Sequence, residues 1–292
     1  MQKIKLLTDS ACDIPEKDRQ ELDIDIMLIP VTVDGQGYYE RKDFTPRQFY
    51  DIISKAKTIP TTAHITHLQF EEKYTACWEE GVTDLIHVTI NSQGSNMFEA
   101  AGLAKNSFYD EHPEAKEQMR ITIIDSGTYS LGYGYPIMQA ARMVKEGAHA
   151  DTVIAYLNDW FSRVEVYAST FTLDQLKKSG RIKGGAAFVG EMLGIRPVVS
   201  FINGESNIVD KVRGNKSVVP RLVKFLTDRE NPKDDYLVAI GRMDSENENL
   251  IAQCKKATKR DPAAIIEIGA AITINIGPNT VAVVYLGDKK RG

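Results

Sequence analysis

Two hydrophobic periods alternate along the first half of the chain, and they constrain the fold more than any other feature. The short apolar runs, each of strand length, are residues 4–10, 23–33, 84–90 and 120–127. Between them, apolar residues recur at helical spacing, as Met97, Ala101, Ala104 and Phe108 do. Strands that alternate with helices predict an α/β fold with a mostly parallel sheet and helices on both of its faces.

Helix starts are marked by capping residues. Thr45 with Gln48, and Thr66 with Gln69, have the spacing of a capping box, in which the side chains of both residues bind backbone amides of the first turn. Asp13 precedes Pro15 and predicts another helix start, with the aspartate as N-cap.

The second half has a different pattern. The strand-like run 195–214 contains the turn "NGE" at 203–205, which predicts a hairpin. Hairpins require antiparallel neighbours, so we predict a second α/β domain with a mixed or antiparallel sheet. The boundary is placed near residue 164, which gives domains 1–164 and 165–292.

Composition excludes several classes of function. The formal net charge is −4, which argues against nucleic-acid binding. No apolar run reaches 18 residues, and we therefore expect no membrane span. The start has no signal-peptide pattern, and the 3 cysteines have no metal-type or disulfide-type spacing. These features predict a cytoplasmic protein with reduced thiols.

The predicted strand ends carry many hydroxyl groups and few acid–base groups. They read "TDSACD", "PTTAHIT", "NSQGSN" and "DSGTYS". No P-loop lysine follows "NSQGSN", and "LGYGYP" matches only part of a dinucleotide fingerprint. An enzyme that uses Asp9, Asp125 and Ser126 on a small phosphorylated or carboxylated substrate remains an alternative, although both aspartates are also suited to accept loop hydrogen bonds.

Binding of a small anion is the chemistry that these loops favour. Thr62 and Ser95 each offer a hydroxyl donor, and a helix that starts near Ser95 adds free backbone amides. A carboxylate needs two or three such donors and no metal. The alternative for Ser95 is that it only caps its own helix. His64 and His67 have no evident third zinc ligand, which favours an ordinary surface pair and no metal site.

Several longer blocks of sequence have a recognisable pattern. They are "TDSACDIP" at 8–15, "IPVTVDGQGYYE" at 29–40, "PTTAHIT" at 60–66, "NSQGSNMFEAA" at 91–101, "IDSGTYSLGYG" at 124–134, "LDQLKKSGRI" at 173–182, "LGIRPVVSFINGE" at 193–205, "KVRG" at 211–214 and "GAAITINIGPN" at 269–279. In sequence and spacing they resemble the DegV family, the fatty-acid-binding proteins of bacteria.

That resemblance implies a carrier of one long-chain fatty acid. The acyl chain would lie in an apolar tunnel of the second domain, and the carboxylate near the domain junction. The protein would present the carboxylate to a separate kinase subunit, so no catalytic residue and no cofactor besides the bound fatty acid is expected. The resemblance implies carboxylate contacts by Thr62, Ser95, Asn96 and Asn275.

Three loops depart from the family pattern. Thr62 is the only residue kept from the opening pair of its loop, Asn96 and Met97 replace glycine and threonine, and Asn275 replaces a histidine that helps to hold the carboxylate. Asparagine donates a hydrogen bond but carries no charge. A carrier of a different apolar acid therefore stays open as a further alternative.

The tunnel and docking residues are assigned from their place beside the matching blocks. The candidate tunnel residues are Phe171, Phe188, Met192 and Ile195, each of which is equally suited to an ordinary core. The basic residues Lys178, Arg181 and Arg213 indicate either a solvated face or a docking surface for the kinase or for anionic lipid headgroups, with transient membrane contact.

Overall fold

Parallel pairing organises the first half of the protein, as the alternation of periods predicts. A computed structural model describes residues 2–185, 194–229 and 233–287. The strands of the first half are β1 (Ile4–Asp9), β2 (Ile24–Met27), β3 (Pro30–Val33), β4 (Gln36–Tyr39), β5 (Thr61–Thr62), β6 (Asp84–Thr89) and β7 (Arg120–Asp125). Among the described residues, four of them form a parallel sheet in the order β2-β1-β6-β7.

The helices of the first half cover that sheet. They are α1 (Glu16–Glu21), α2 (Pro46–Lys55), α3 (His67–Glu79), α4 (Met97–Glu111), α5 (Ala115–Gln118), α6 (Leu131–Lys145) and α7 (Ala150–Phe161). Helix α3 packs against α4, and α6 packs against α7. This arrangement confirms the predicted α/β class for the first half.

Both predicted capping boxes are present. The Thr45 side chain accepts a hydrogen bond from the backbone amide of Gln48, and the backbone amide of Thr45 donates to the Gln48 side chain. Thr66 and Gln69 form the same pair of bonds. The predicted N-cap at Asp13 is wrong. Asp13 ends a 3-10 turn with φ of 56°, and α1 begins after Pro15. Its carboxylate instead contacts a distant part of the chain, described below.

A small sheet that the sequence analysis did not predict holds Thr62. Strand β3 pairs with β4 through a tight turn and with β5 on its other side, all antiparallel. Asp34 and Gly35 of the turn have φ of 47° and 86°, as a two-residue hairpin loop requires.

The second half contains a mixed sheet, which confirms the prediction. Its strands are β8 (Val164–Thr170), β9 (Ile195–Ile202), β10 (Glu205–Arg213), β11 (Tyr236–Ile240), β12 (Ala264–Glu267) and β13 (Thr280–Leu286). Their order among the described residues is β10-β9-β8-β13-β11-β12, and the pairing is antiparallel except between β11 and β12. The predicted "NGE" hairpin joins β9 to β10, with φ of 52° at Asn203 and 75° at Gly204.

Helices lie on both sides of this six-stranded sheet. They are α8 (Asp174–Lys178), α9 (Val218–Arg229), α10 (Asp244–Thr258) and α11 (Ala270–Ile276). Helices α9 and α10 cover one face, on which residues such as Tyr167 and Tyr285 form a separate buried cluster. The other face joins the core of the first half, because one cluster contains both Leu131 and Val166. The domain boundary near residue 164 therefore remains a prediction.

Candidate ligand-binding site

A cavity of about 340 Å³ lies where the loops of the first half meet the six-stranded sheet. All four predicted carboxylate-binding residues, Thr62, Ser95, Asn96 and Asn275, line it. They come from β5, from the loop before α4 and from α11, segments that are far apart in the chain. The structure thus brings together Thr62 and Ser95, which the sequence analysis selected as anion donors, with Asn96 and Asn275, which only the resemblance implied.

Two unengaged hydroxyl groups lie at the polar end of the cavity. Thr62 is held by the pairing of β5 with β3, in register with Val31, and its side chain is half-buried. Ser95 is also half-buried. Among the described residues, neither hydroxyl has a hydrogen-bond partner, so both are available to a ligand.

The loop before α4 does not use Ser95 as a cap. Asn96 occupies the N-cap position of α4, with ψ of 10° and no side-chain capping bond. The alternative that Ser95 only caps its own helix therefore lacks the expected contact. The amides of the first turn of α4 remain close to the cavity end that Ser95, Asn96 and Met97 line.

Asn275 has already used part of its donor capacity. Its Nδ2 donates to the carbonyl oxygen of Ala271, one turn earlier in α11, at 2.9 Å. An amide nitrogen carries two protons, so one N–H remains for a ligand.

Two residues that the sequence analysis did not single out hold the loop 91–96 in place. Asn91 is fully buried, and its Nδ2 donates to Tyr129 Oη and to the Gly204 carbonyl, both at 2.8 Å. The second bond ties the loop to the β9–β10 hairpin. Tyr129 also restricts Gly94, because a Cβ there would lie 2.3 Å from the tyrosine oxygen. A polar residue directly after a buried strand was the available signal for Asn91.

Asp125 and Asp9 serve the loops. Asp125 accepts hydrogen bonds from the amides of Ser92 and Gly127, each at 3.0 Å. Asp9 is fully buried, where desolvation raises its pKa, and it accepts from the amide of Ile90 at 3.0 Å and from Tyr133 Oη at 2.6 Å. These contacts match the structural alternative for both aspartates.

Ser126 is also engaged, since it donates to the carbonyl of Thr128 at 3.3 Å. Within the described part of the chain, no group of His, Cys, Asp or Glu side chains has the arrangement of a metal site.

A buried carboxylate pair holds α11 over the cavity. Asp13 accepts from the Gly269 amide and from Ser130 Oγ, while Glu40 accepts from the Ala271 amide at 3.0 Å and from Ser10 Oγ at 2.7 Å. Burial raises the pKa of both carboxyls, and the charge of Glu40 raises that of Asp13 further.

Most of the remaining lining is apolar and comes from the six-stranded sheet and the first-half core, while the polar residues Ser92, Gln93, Tyr129, Ser130, Ser206 and Thr280 also line the cavity. The apolar residues include Ile29, Ile90, Leu131, Val166, Ala168, Ala239, Ile268, Ala282 and Val284. Among the described lining residues, His64 and Arg181 are the ones able to carry positive charge, and none is acidic. The charge of the lining therefore suits an anionic head group, and its apolar side chains suit an apolar tail.

The predicted tunnel residues are placed differently. Phe171 lies in the cluster under α9, and Ile195 begins β9 opposite Arg213. Neither is among the described residues that line the cavity, and Phe188 and Met192 lie outside the described residues. Their tunnel roles remain predictions.

The predicted docking residues do not all lie on the same part of the protein. Lys178 and Arg213 are exposed and do not belong to the described cavity lining, whereas Arg181 does.

A family model described as "Uncharacterised protein, DegV family" matches residues 3–288. The chain belongs to the DegV family. A DegV domain-containing protein of Clostridium perfringens is 26% identical over 290 residues, which cover 99% of this chain and 100% of the relative. A second, from Clostridium acetobutylicum, is 26% identical over 288 residues, which cover 98% and 99%.

Solved DegV structures have the same fold. A Thermus thermophilus protein, described as a fatty-acid-binding DegV family protein, is 26% identical with a TM-score of 0.81, covering 98% of this chain and 100% of that one. A stearic-acid-binding protein of Eubacterium ventriosum is 22% identical with a TM-score of 0.85, covering 98% of both chains. In this DegV chain, no helix of the described residues is long and apolar enough to cross a bilayer.

Proposed function

We propose that this DegV protein binds a long-chain fatty acid in the cavity described above. The carboxylate would accept hydrogen bonds from Thr62 and Ser95, with Asn96 and Asn275 beside it, and the acyl chain would lie against the six-stranded sheet. The observation that carries the proposal is the composition of the lining, which combines the free hydroxyls of Thr62 and Ser95 with a mostly apolar remainder and has no acidic side chain among the described residues.

The apolar contacts are sufficient for tight binding. Each buried CH₂ contributes about 0.8 kcal/mol, so a chain of roughly sixteen carbons would contribute on the order of 12 kcal/mol before the entropic cost of association. The hydroxyl donors then need only to orient the head group. Fatty-acid binding by the Thermus and Eubacterium relatives supports the same ligand class here.

Native mass spectrometry of protein purified without denaturation tests this proposal. We expect a co-purifying lipid of fatty-acid mass, and calorimetric titration of delipidated protein with palmitic acid should give saturable binding. Hexadecanol, which has the same chain without the carboxylate, is the matched control and should bind less tightly. If the spectrum shows no lipid and the titration shows no binding, the proposal is rejected. A bound apolar acid of another class would replace the fatty acid as the ligand.

We further propose that the protein presents the carboxylate to a separate kinase and does not itself phosphorylate it. His64 and Asn96 are exposed at the polar end of the cavity, so this end is accessible from the surface. Loaded protein incubated with ATP and Mg²⁺ alone should form no acyl phosphate. Metal-dependent turnover that Asp125→Asn abolishes would support the enzyme alternative instead.

Lys178 and Arg213 are proposed to contact the partner, since both are exposed and do not line the described cavity. Reversing both charges to glutamate should weaken binding to the kinase while leaving the affinity for fatty acid unchanged. Unchanged kinase binding would leave the solvated-face interpretation, and loss of binding to anionic vesicles alone would assign the surface to lipid headgroups.

A further inference from the structure

Three alanines stand side by side on neighbouring strands of the cavity face. Ala168 of β8 is in register with Ala282 of β13, and Ala282 is in register with Ala239 of β11. All three line the cavity, and they are 3–4% exposed. We call these residues the alanine row.

Larger side chains border the alanine row on the same face. Side chains two positions apart in a strand point to the same side, so Val166 and Val284 form the next row, and their backbones are also in register. On the other side, Thr170 is in register with Thr280. The alanine row is therefore a groove across β8, β13 and β11, and rows of bulkier residues border it on β8 and β13.

The ends of the groove differ in chemistry. Beyond β8 the lining moves to the row of Val166, which is in register with Phe201 of β9, and Phe201 is in register with Ser206 of β10. Val199, the β9 residue beside Ala168, is fully buried and does not line the cavity. That edge lies beside the head-group loop, because Asn91 donates to Gly204 in the β9–β10 turn. The opposite edge is closed by Ile268, whose amide donates to Ile240 at the end of β11. Of the three alanines, Ala168 is thus on the strand closest to the edge that adjoins the head-group loop, and Ala239 is on the strand farthest from that edge.

The length of the groove can be read from the strands that it crosses. Lining residues lie on five neighbouring strands, from β10 to β11. Four spacings of about 4.8 Å give about 19 Å. An extended hydrocarbon chain with C–C bonds of about 1.5 Å advances about 1.25 Å per carbon, so the groove accommodates on the order of fifteen carbons, and each strand corresponds to about four.

We propose that the alanine row determines the acyl-chain length that this protein accepts, with the chain extended across the strands and its methyl end at Ala239. This inference rests on the proposed function, since it assumes a fatty acid as ligand. The absence of side chains beyond Cβ at three adjacent positions provides the space. A bulkier residue at any of them therefore obstructs the chain at that distance from the carboxylate.

Leucine substitutions at the three positions test the proposal through the order of their effects. Affinity is measured by calorimetry for saturated acids from octanoic to octadecanoic in wild type, Ala239→Leu, Ala282→Leu and Ala168→Leu. Ala239→Leu should lower the affinity for the longest acids by about tenfold or more and leave dodecanoic acid unaffected. The limit should shorten by about four carbons at Ala282→Leu and by about four more at Ala168→Leu.

Val283→Leu is the matched control, because Val283 neighbours Ala282 on β13 but belongs to the helix-covered cluster. It should leave the chain-length profile unchanged. Retained binding of short acids shows that each variant is folded, and Ala239→Val, Ala282→Val and Ala168→Val provide a smaller step if a leucine variant does not fold. The same length limit in all three positions, or a limit that does not follow the order of the strands, overturns the inference. Absence of binding of every acid by wild-type protein rejects the proposed function instead.

Discussion

The two faces of the six-stranded sheet are built from the same strands but serve different purposes. On the helix-covered face, Tyr167 stacks on Phe225 of α9 with ring centroids 4.3 Å apart, and Tyr285 lies next to it. On the cavity face, the neighbouring residues Ala168 and Ala282 leave space. The alternation of strand side chains therefore separates a face that large side chains fill from a face that leaves a cavity.

The largest expected effect comes from opening the helix-covered face. Leu222 of α9 is fully buried in its cluster, so Leu222→Ala should lower the free energy of unfolding by about 2–5 kcal/mol through lost contacts and a new cavity. Urea denaturation measures the change. The fatty-acid affinity of the variant, measured without urea and corrected for its unfolded fraction, should equal that of the wild type. Leu103→Ala is the control, because Leu103 is 58% exposed and its truncation should change stability by less than about 0.5 kcal/mol. If Leu222→Ala and Leu103→Ala lowered the free energy of unfolding equally, the helix-covered face would not be the stabilising face that the comparison assumes.

The polar end of the cavity should show the opposite behaviour. Thr62→Ala combined with Ser95→Ala should weaken fatty-acid binding by about 1–3 kcal/mol, because two hydrogen bonds to the carboxylate are lost. Calorimetry measures the affinity, and the unfolding transition should move little, since both hydroxyls lack partners among the described residues. Thr61→Ala, at the exposed neighbour of Thr62, is the control. Unchanged affinity in the double variant would reject these two assignments.

A smaller effect is expected at the carboxylate pair that holds α11. Because the pKa of Asp13 is raised in the folded protein, folding binds protons, and stability should fall as the pH rises above the ordinary aspartate value of 3.8 toward the folded pKa. Asp13→Asn removes this titration, so its stability should depend less on pH in that interval than that of the wild type. Thermal unfolding at a series of pH values measures the difference. Parallel curves for the two proteins would contradict the assignment.

Local features of the fold were predictable because their causes are local. The capping boxes at Thr45 and Thr66 each involve residues three positions apart, and the "NGE" hairpin depends on two adjacent residues with positive φ. The alternating periods were likewise sufficient for the fold class. Asp13 shows the limit, since its N-cap prediction failed because its carboxylate accepts from Gly269, 256 positions away.

The candidate site was predictable only in part for the same reason. The chemistry of the strand ends identified Thr62 and Ser95, the resemblance to the DegV family added Asn96 and Asn275, and all four line one cavity. The alanine row was not recognisable, because its three residues are aligned by strand register and not by sequence spacing. A single alanine in a buried strand is an ordinary core residue, and only its neighbours across the sheet give it another meaning.

The position of β13 has a consequence for how the cavity comes into existence. It follows every other described strand in chain order, yet it lies between β8 and β11 and contributes Ala282 to the centre of the groove. During translation, the edges of β8 and β11 that pair with β13 therefore have no partner strand until β13 has been synthesised. A nascent chain on the ribosome therefore lacks one wall of the cavity until β13 has been synthesised.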